Sequence, residues 1–195
     1  LEFGVKSTLN DGKLILNAAY YQMDWSDFQT TTYNPDLGSV AFIDNVGDAE
    51  INGFELDITY LINDVTSVTA YFNSNDPTLS EDYYGDEGVL TANAGNRLSN
   101  MPKSSYYLSL DRDIVLMGLP GFLNIDYSFV GDRFSTFENV SSGSDIREVL
   151  PSYGLANMRL GVEMDNSIIE AYISNIADED GYLSRYDDFT VAGSS

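Results

Sequence analysis

Acidic side chains supply almost all the chemistry this sequence can offer, because it contains no histidine and no cysteine. Histidine is the usual general base and metal ligand near neutral pH, so its absence removes Ser-His-Asp and Cys-His triads and HExxH zinc sites. The missing cysteine removes disulfides and thiolate metal sites. Three groups of candidates remain. The stretch Ser80-Glu81-Asp82-Tyr83-Tyr84-Gly85-Asp86-Glu87 sets carboxylates beside aromatic rings. Such rings stack on sugars or flat chelates, and the carboxylates bind Ca²⁺ through oxygen. The plainer reading is a solvated acidic loop. A second stretch, Asp178-Glu179-Asp180-Gly181 with Asp187 and Asp188, fails the D-x-[DN]-x-[DN]-G-x₅-E spacing of an EF-hand, which leaves a loose calcium site or a structural role. The third group is Arg97, Arg133, Arg147 and Arg185, which could meet an anionic ligand or a lipid phosphate. They could equally pair with the acids around them, and that reading is preferred. Carboxylate pairs occur throughout so acidic a chain, so none of them argues for hydrolysis.

Charge bounds the partners. Nine Lys and Arg against 31 Asp and Glu give a net charge of −22, which argues against nucleic acid, whose phosphates need basic contacts. With 195 residues, of which 43% are hydrophobic, the chain can bury a core and is not disordered by composition. No run approaches the roughly 18 apolar residues of a transmembrane helix. The opening Leu1-Glu2-Phe3-Gly4-Val5-Lys6 lacks the basic and apolar regions of a signal peptide and reads as the middle of a strand, so a segment of a longer chain is expected.

The elements that must carry these residues are strands. Apolar Leu123, Ile125, Tyr127 and Phe129 alternate with polar Asn124, Asp126 and Ser128, and the same period recurs at Phe54, Leu56, Ile58 and Tyr60 against Glu55, Asp57 and Thr59. Met158, Leu160, Val162 and Met164 against Asn157, Arg159 and Glu163 repeat it. About eight strands are predicted: 2–8, 13–31, 42–62, 65–76, 103–112, 122–134, 152–164 and 167–175. Short breaks at Asn10-Asp11-Gly12, Asn63-Asp64, Met117 to Gly121 and Asp165-Asn166 alternate with long polar connections near 31–41, 77–102 and 132–151. A globular sandwich has no reason to gather its long loops at one end of its strands, whereas a meander crossing a membrane does. The prediction is an all-β, antiparallel up-and-down meander. Phe54, Leu56, Ile58, Leu123, Ile125 and Phe129 face lipid on its convex side. Glu55, Asp57, Asn124, Asp126, Arg159 and Glu163 face an aqueous lumen on the concave side. Fourteen Tyr and ten Phe suit the aromatic girdles of such barrels, with Tyr20, Tyr60, Tyr127 and Tyr172 as candidates.

Two segments add a resemblance. Asn17 to Gln29 (NAAYYQMDWSDFQ) and Asn45 to Leu56 (NVGDAEINGFEL) resemble consecutive stretches in the C-terminal part of the TonB-dependent receptor barrel. Gly95-Asn96-Arg97-Leu98 with Met101-Pro102-Lys103, Pro151-Ser152-Tyr153 with Asn157 to Gly161, and Asn175-Ile176-Ala177-Asp178-Glu179 follow in family order.

The resemblance implies a 22-stranded bacterial outer-membrane barrel occluded by an N-terminal plug, of which residues 1–195 would be the C-terminal part, without plug or final strand. It implies a transporter that binds a scarce small molecule (a ferric siderophore, haem, cobalamin or an oligosaccharide) and imports it with TonB-coupled energy. The partners implied are lipid and lipopolysaccharide, the plug, and the TonB complex acting through it. No cofactor, resident metal or catalytic residue is expected, and Tyr83, Tyr84, Arg97 and Arg133 are the candidate ligand contacts. A passive porin or a small eight-stranded barrel is the alternative.

Overall fold

A computed structural model of the chain describes residues 1–34, 40–85, 88–135 and 148–183. Its main body is one antiparallel sheet of eight strands. These are β1 (Glu2–Leu9), β2 (Leu14–Trp25), β5 (Ala49–Asn63), β6 (Thr66–Leu79), β9 (Ser104–Leu116), β10 (Leu119–Val130), β13 (Tyr153–Met164) and β14 (Ser167–Ile173). They lie side by side in chain order, so every neighbour in space is the next long strand in sequence. The intervening numbers are short strands inside the long connections: β3 (Gln29–Asn34) with β4 (Val40–Asn45), β7 (Tyr83–Tyr84) with β8 (Leu90–Ala92), and β11 (Arg133–Phe134) with β12 (Val149–Leu150).

The tight turns all fall at one end of the sheet, and local chemistry makes them. Leu116 pairs with Leu119 across the two-residue turn Met117-Gly118, whose φ angles of 53° and 81° are both left-handed. Two such residues twist the chain in the sense that matches the twist of paired strands. At the first turn Asn10, Asp11 and Gly12 all have positive φ, and the Lys13 N–H donates to the Asn10 carbonyl at 3.0 Å. The strands are long: β5 spans 15 residues and β6 spans 14, beyond the roughly 9–11 that cross a bilayer at a tilt.

The predicted strands 13–31 and 42–62 each divide in two. Asp27 sits at φ 55° and Gly47 at φ 94°, conformations that no strand continues through. Side chains supplement the backbone bonds between Phe28 and Val46-Gly47 there, the Asp27 N–H donating to Asp48 Oδ1 at 3.1 Å and the Asn45 amide to Asp27 Oδ1 at 2.9 Å. The pairing resumes beyond as the β3–β4 hairpin. Likewise 122–134 ends at Val130, and Arg133–Phe134 belong to a separate pair.

Register separates the side chains into two faces, because residues directly opposite in an antiparallel pair point the same way. Asn17, Asp57 and Tyr71 form one row, and Ala19, Glu55, Asn73 and Ser105 form the next. Asp111, Asn124, Arg159 and Tyr172 are in register on the same face, as are Ser109, Asp126 and Asn157. The other face carries Ala18, Leu56, Phe72, Tyr106 and Phe129 as one row, with Tyr20 opposite Phe54. Above that aromatic level it turns polar, at Gln22, Asn52 and Asp76. Of the aromatics singled out above, Tyr20, Tyr60 and Tyr127 lie on the apolar face. Tyr172 lies opposite Arg159 on the polar one, so it does not belong with the other three.

Three glycines let rings lie flat on the sheet. A Cβ at Gly53 would come within 2.2 Å of the Tyr21 ring, one at Gly161 within 2.3 Å of Phe122, and one at Gly154 within 2.0 Å of the Tyr127 hydroxyl. Tyr21 is directly opposite Gly53, and Phe122 is directly opposite Gly161. Gly53→Ala is expected to destabilise the intact protein by about 1–3 kcal/mol by forcing Tyr21 off its position. Equilibrium denaturation should show that loss, and most of it should disappear in a background that already carries Tyr21→Ala.

Candidate functional site

The polar face bounds a hollow of about 930 Å³ that touches β1, β2, β5, β6, β9 and β10. Its walls include Asn17, Glu55, Asp57, Tyr71, Asn73 and Tyr107. Apolar-face residues contribute only where they lie between two of these, as Leu56 does between Glu55 and Asp57, so they contribute backbone. One hollow shared by six strands of a single sheet means that the sheet curves around its polar side.

The acids of this face are satisfied mainly by amides. Asn17 Nδ2 donates to Asp57 at 3.2 Å, Asn73 Nδ2 to Glu55 at 3.2 Å, Asn124 Nδ2 to Asp111 at 2.8 Å, and Asn157 Nδ2 to Asp126 at 2.7 Å. Each pair bridges neighbouring strands. The ion pair from Arg159 Nε to Glu170 at 3.5 Å joins β13 to β14. Glu163 lies two residues beyond Gly161 on the same face. Tyr71 and Tyr107, directly opposite each other, set their rings 5.9 Å apart within the hollow.

The buried apolar side chains gather at the end of the sheet that carries the long connections. Phe28, Val46, Ala49, Ile51, Leu79, Tyr83, Ala92 and Leu98 form one cluster, with Tyr21 and Met101 packed on it. Ala49 and Ile51 share the face of Glu55 and Asp57, so the β2–β5 and β6–β9 connections fold inward over the polar side. Leu79, Leu98 and Val46 are almost fully enclosed. The polar composition of these connections predicts solvated loops, and the cluster departs from that expectation. Its trace was present in the short apolar residues embedded in polar signatures, Val46 in Asn45-Val46-Gly47-Asp48 and Leu98 after Arg97.

The candidate ligand contacts are divided by their surroundings. Tyr83 is buried in the cluster, whereas Tyr84 is 57% exposed. Arg97 is 9% exposed and lies within a closed set of acceptors. Its Nη1 pairs with Asp132 Oδ2 at 3.1 Å, Nε and Nη2 donate to the Met101 carbonyl at 3.2 and 2.9 Å, and Nη2 also donates to the Asp132 carbonyl. The Phe134 ring lies 5.4 Å from its guanidinium carbon. Arg133 is 8% exposed, donates to the Tyr182 carbonyl at 2.6 Å and sits over the Tyr153 ring at 5.8 Å. Lys103 pairs with Asp76 at 2.7 Å on the surface. Asp86, Glu87, Arg147, Arg185, Asp187 and Asp188 lie outside the described residues. Among the described residues no group of three or more acids is placed to hold a metal ion.

Leu79→Ala should cost about 2–5 kcal/mol, the range for truncating an enclosed leucine. Because Leu79 supports the connections and not the middle of the sheet, limited proteolysis should cut the β6–β9 connection faster while the long strands stay protected.

Comparison with known proteins follows the same architecture. Residues 1–176 match the sequence family described as "TonB dependent receptor-like, beta-barrel". No curated protein sequence matches. Among solved structures, the ferric yersiniabactin uptake receptor FyuA from Yersinia pestis aligns over 97% of this chain and 26% of its own at 16% identity, with a TM-score of 0.70. The copper transporter OprC aligns over 94% of this chain and 26% of its own at 18% identity and TM-score 0.67. The siderophore receptor PirA from Acinetobacter baumannii aligns over 91% and 27% at 17% identity and TM-score 0.62. The chain spans about a quarter of the length of these structures.

Proposed function

The chain belongs to the TonB-dependent receptor family, and from that premise we propose that it forms the C-terminal part of the wall of an active outer-membrane transporter. The protein binds a scarce small molecule from outside the cell, a ferric siderophore, haem, cobalamin or an oligosaccharide, and admits it with energy supplied through TonB. The observation that carries this reading is the two-faced sheet. A continuous apolar face, edged by Tyr20, Phe54, Phe72, Tyr106 and Phe129, suits acyl chains bordered by headgroups. The curved polar face of Glu55, Asp57, Asn124, Asp126, Arg159 and Glu163 suits a water-filled lumen that seats a plug. On this reading the edges β1 and β14 pair with further strands, since unpaired backbone amides in hydrocarbon cost several kcal/mol each. The tight turns face the periplasm and the long connections, bordering lipopolysaccharide, face outward.

Substrate contact falls to side chains that the outer connections leave exposed, of which Tyr84 is the best described. Arg97 and Arg133 are already committed to internal acceptors and support the connections. A hydrolytic role has no histidine to serve as its base, and the family and its solved relatives are transporters and receptors.

Two measurements test the reading. A strain lacking the full gene should lose growth on one defined iron or carbon source and should recover only with an intact TonB system. Recovery without TonB would indicate a passive pore instead. For the faces, Ile125→Arg should cost about 2–4 kcal/mol in a protein folded into lipid vesicles. Asn124→Arg, on the opposite face beside Asp111, should cost less than about 1 kcal/mol. Equal costs would remove the assignment of the faces.

A further inference from the structure

Each long connection is fastened to the next. The β2–β5 and β6–β9 connections share the buried cluster, and their backbones are joined where the Ser80 N–H donates to the Asp48 carbonyl at 2.8 Å. The β6–β9 and β10–β13 connections are joined by Arg97 and by the Asn100 N–H, which donates to the Phe134 carbonyl at 2.8 Å. The β10–β13 connection holds the segment after β14 through Arg133 and the Tyr182 carbonyl.

The last two links meet in one dipeptide. Asp132 receives Arg97 from the connection before it, and Arg133 reaches Tyr182 in the segment after it. We propose that Asp132-Arg133 is a two-sided latch that joins the connections into a collar, so that loosening at Arg97 carries through to the segment after β14. Arg97 and Arg133 are its positioning residues. The planar fork of Arg97 satisfies two backbone carbonyls and a carboxylate at once, which no other side chain reproduces. Its removal unties Asp132, the residue next to Arg133. The Arg133 side is the weaker stitch. Its Nε is buried without a hydrogen-bond partner, so one hydrogen bond and the Tyr153 ring hold it. The collar therefore opens first at Tyr182.

Amide hydrogen exchange of the full-length protein in detergent micelles tests it. Arg97→Gln should speed exchange about tenfold at residues 133–135 and also at 181–183, which Arg97 does not touch, while β9 and β10 keep their protection. Faster exchange confined to residues 97–101 would overturn the latch. If the Arg97→Gln protein does not assemble, Asp132→Asn, which keeps the backbone carbonyl of residue 132, decides by the same criterion. Arg133→Gln supplies the converse: exchange should rise at 181–183 and leave 97–101 unchanged, because the weaker stitch lies downstream of the stronger. A rise at 97–101 equal to that at 181–183 would overturn the order of opening.

Discussion

The strict alternation of side chains between two faces is the constraint on which everything else in this molecule depends. A slip of one residue between any two neighbouring long strands would carry Asp57, Asn124 or Arg159 to the apolar side and Leu56, Leu123 or Leu160 to the polar side. The penalty grows with strand length, because every residue of the slipped strand changes sides. Tight turns such as Met117-Gly118 set the register at one end, and the aromatic rings that cover Gly53 and Gly161 set it again within the sheet. Those notches accept a ring only when the facing strand is in place.

The net charge of −22 makes the second demand. Nine basic residues cannot neutralise 31 acids, and the described ones at the long-connection end serve structural contacts. The polar face answers with asparagine. A side-chain amide donates to a carboxylate without adding a positive charge, and placed opposite it on the next strand the amide also joins the strands. Four such pairs cross the sheet from β2 to β13. The face thus stays acidic while these pairs hold its side chains across neighbouring strands.

Most of the sheet was legible from the sequence. Period two at Phe54 to Tyr60 and at Leu123 to Phe129 marked the strands and split their residues into the two sets that the register keeps on opposite faces. What the sequence hid lies where periodicity stops. Asp27 and Gly47 interrupt strands that continue in pattern on either side, since their signal is a backbone conformation and not hydropathy. Tyr172 looked like its fellow tyrosines, and only its pairing with Arg159 assigns its side. Tyr83 and Tyr84, adjacent and identical in type, were indistinguishable until the cluster of Leu79, Ala92 and Leu98 enclosed the first and left the second in solvent. Long-range packing of short apolar residues in polar stretches has no local period to read.

The small hairpins inside the long connections also bear on how the chain finds its form. A flexible tether between two strands loses entropy when its ends are joined, and the loss grows with the logarithm of its length. From Gly131 to Ser152 that tether is long, yet Arg133 pairs with Leu150 near its base. Pairing there holds the two ends of the connection close to where Val130 meets Tyr153, and β3–β4 does the same between Trp25 and Ala49. Each hairpin thus makes a distant strand an effectively local neighbour. A sheet whose order follows the chain can then grow like a zipper, and sequence beyond such a clasp is free to lengthen or change at little cost to the rate of closure.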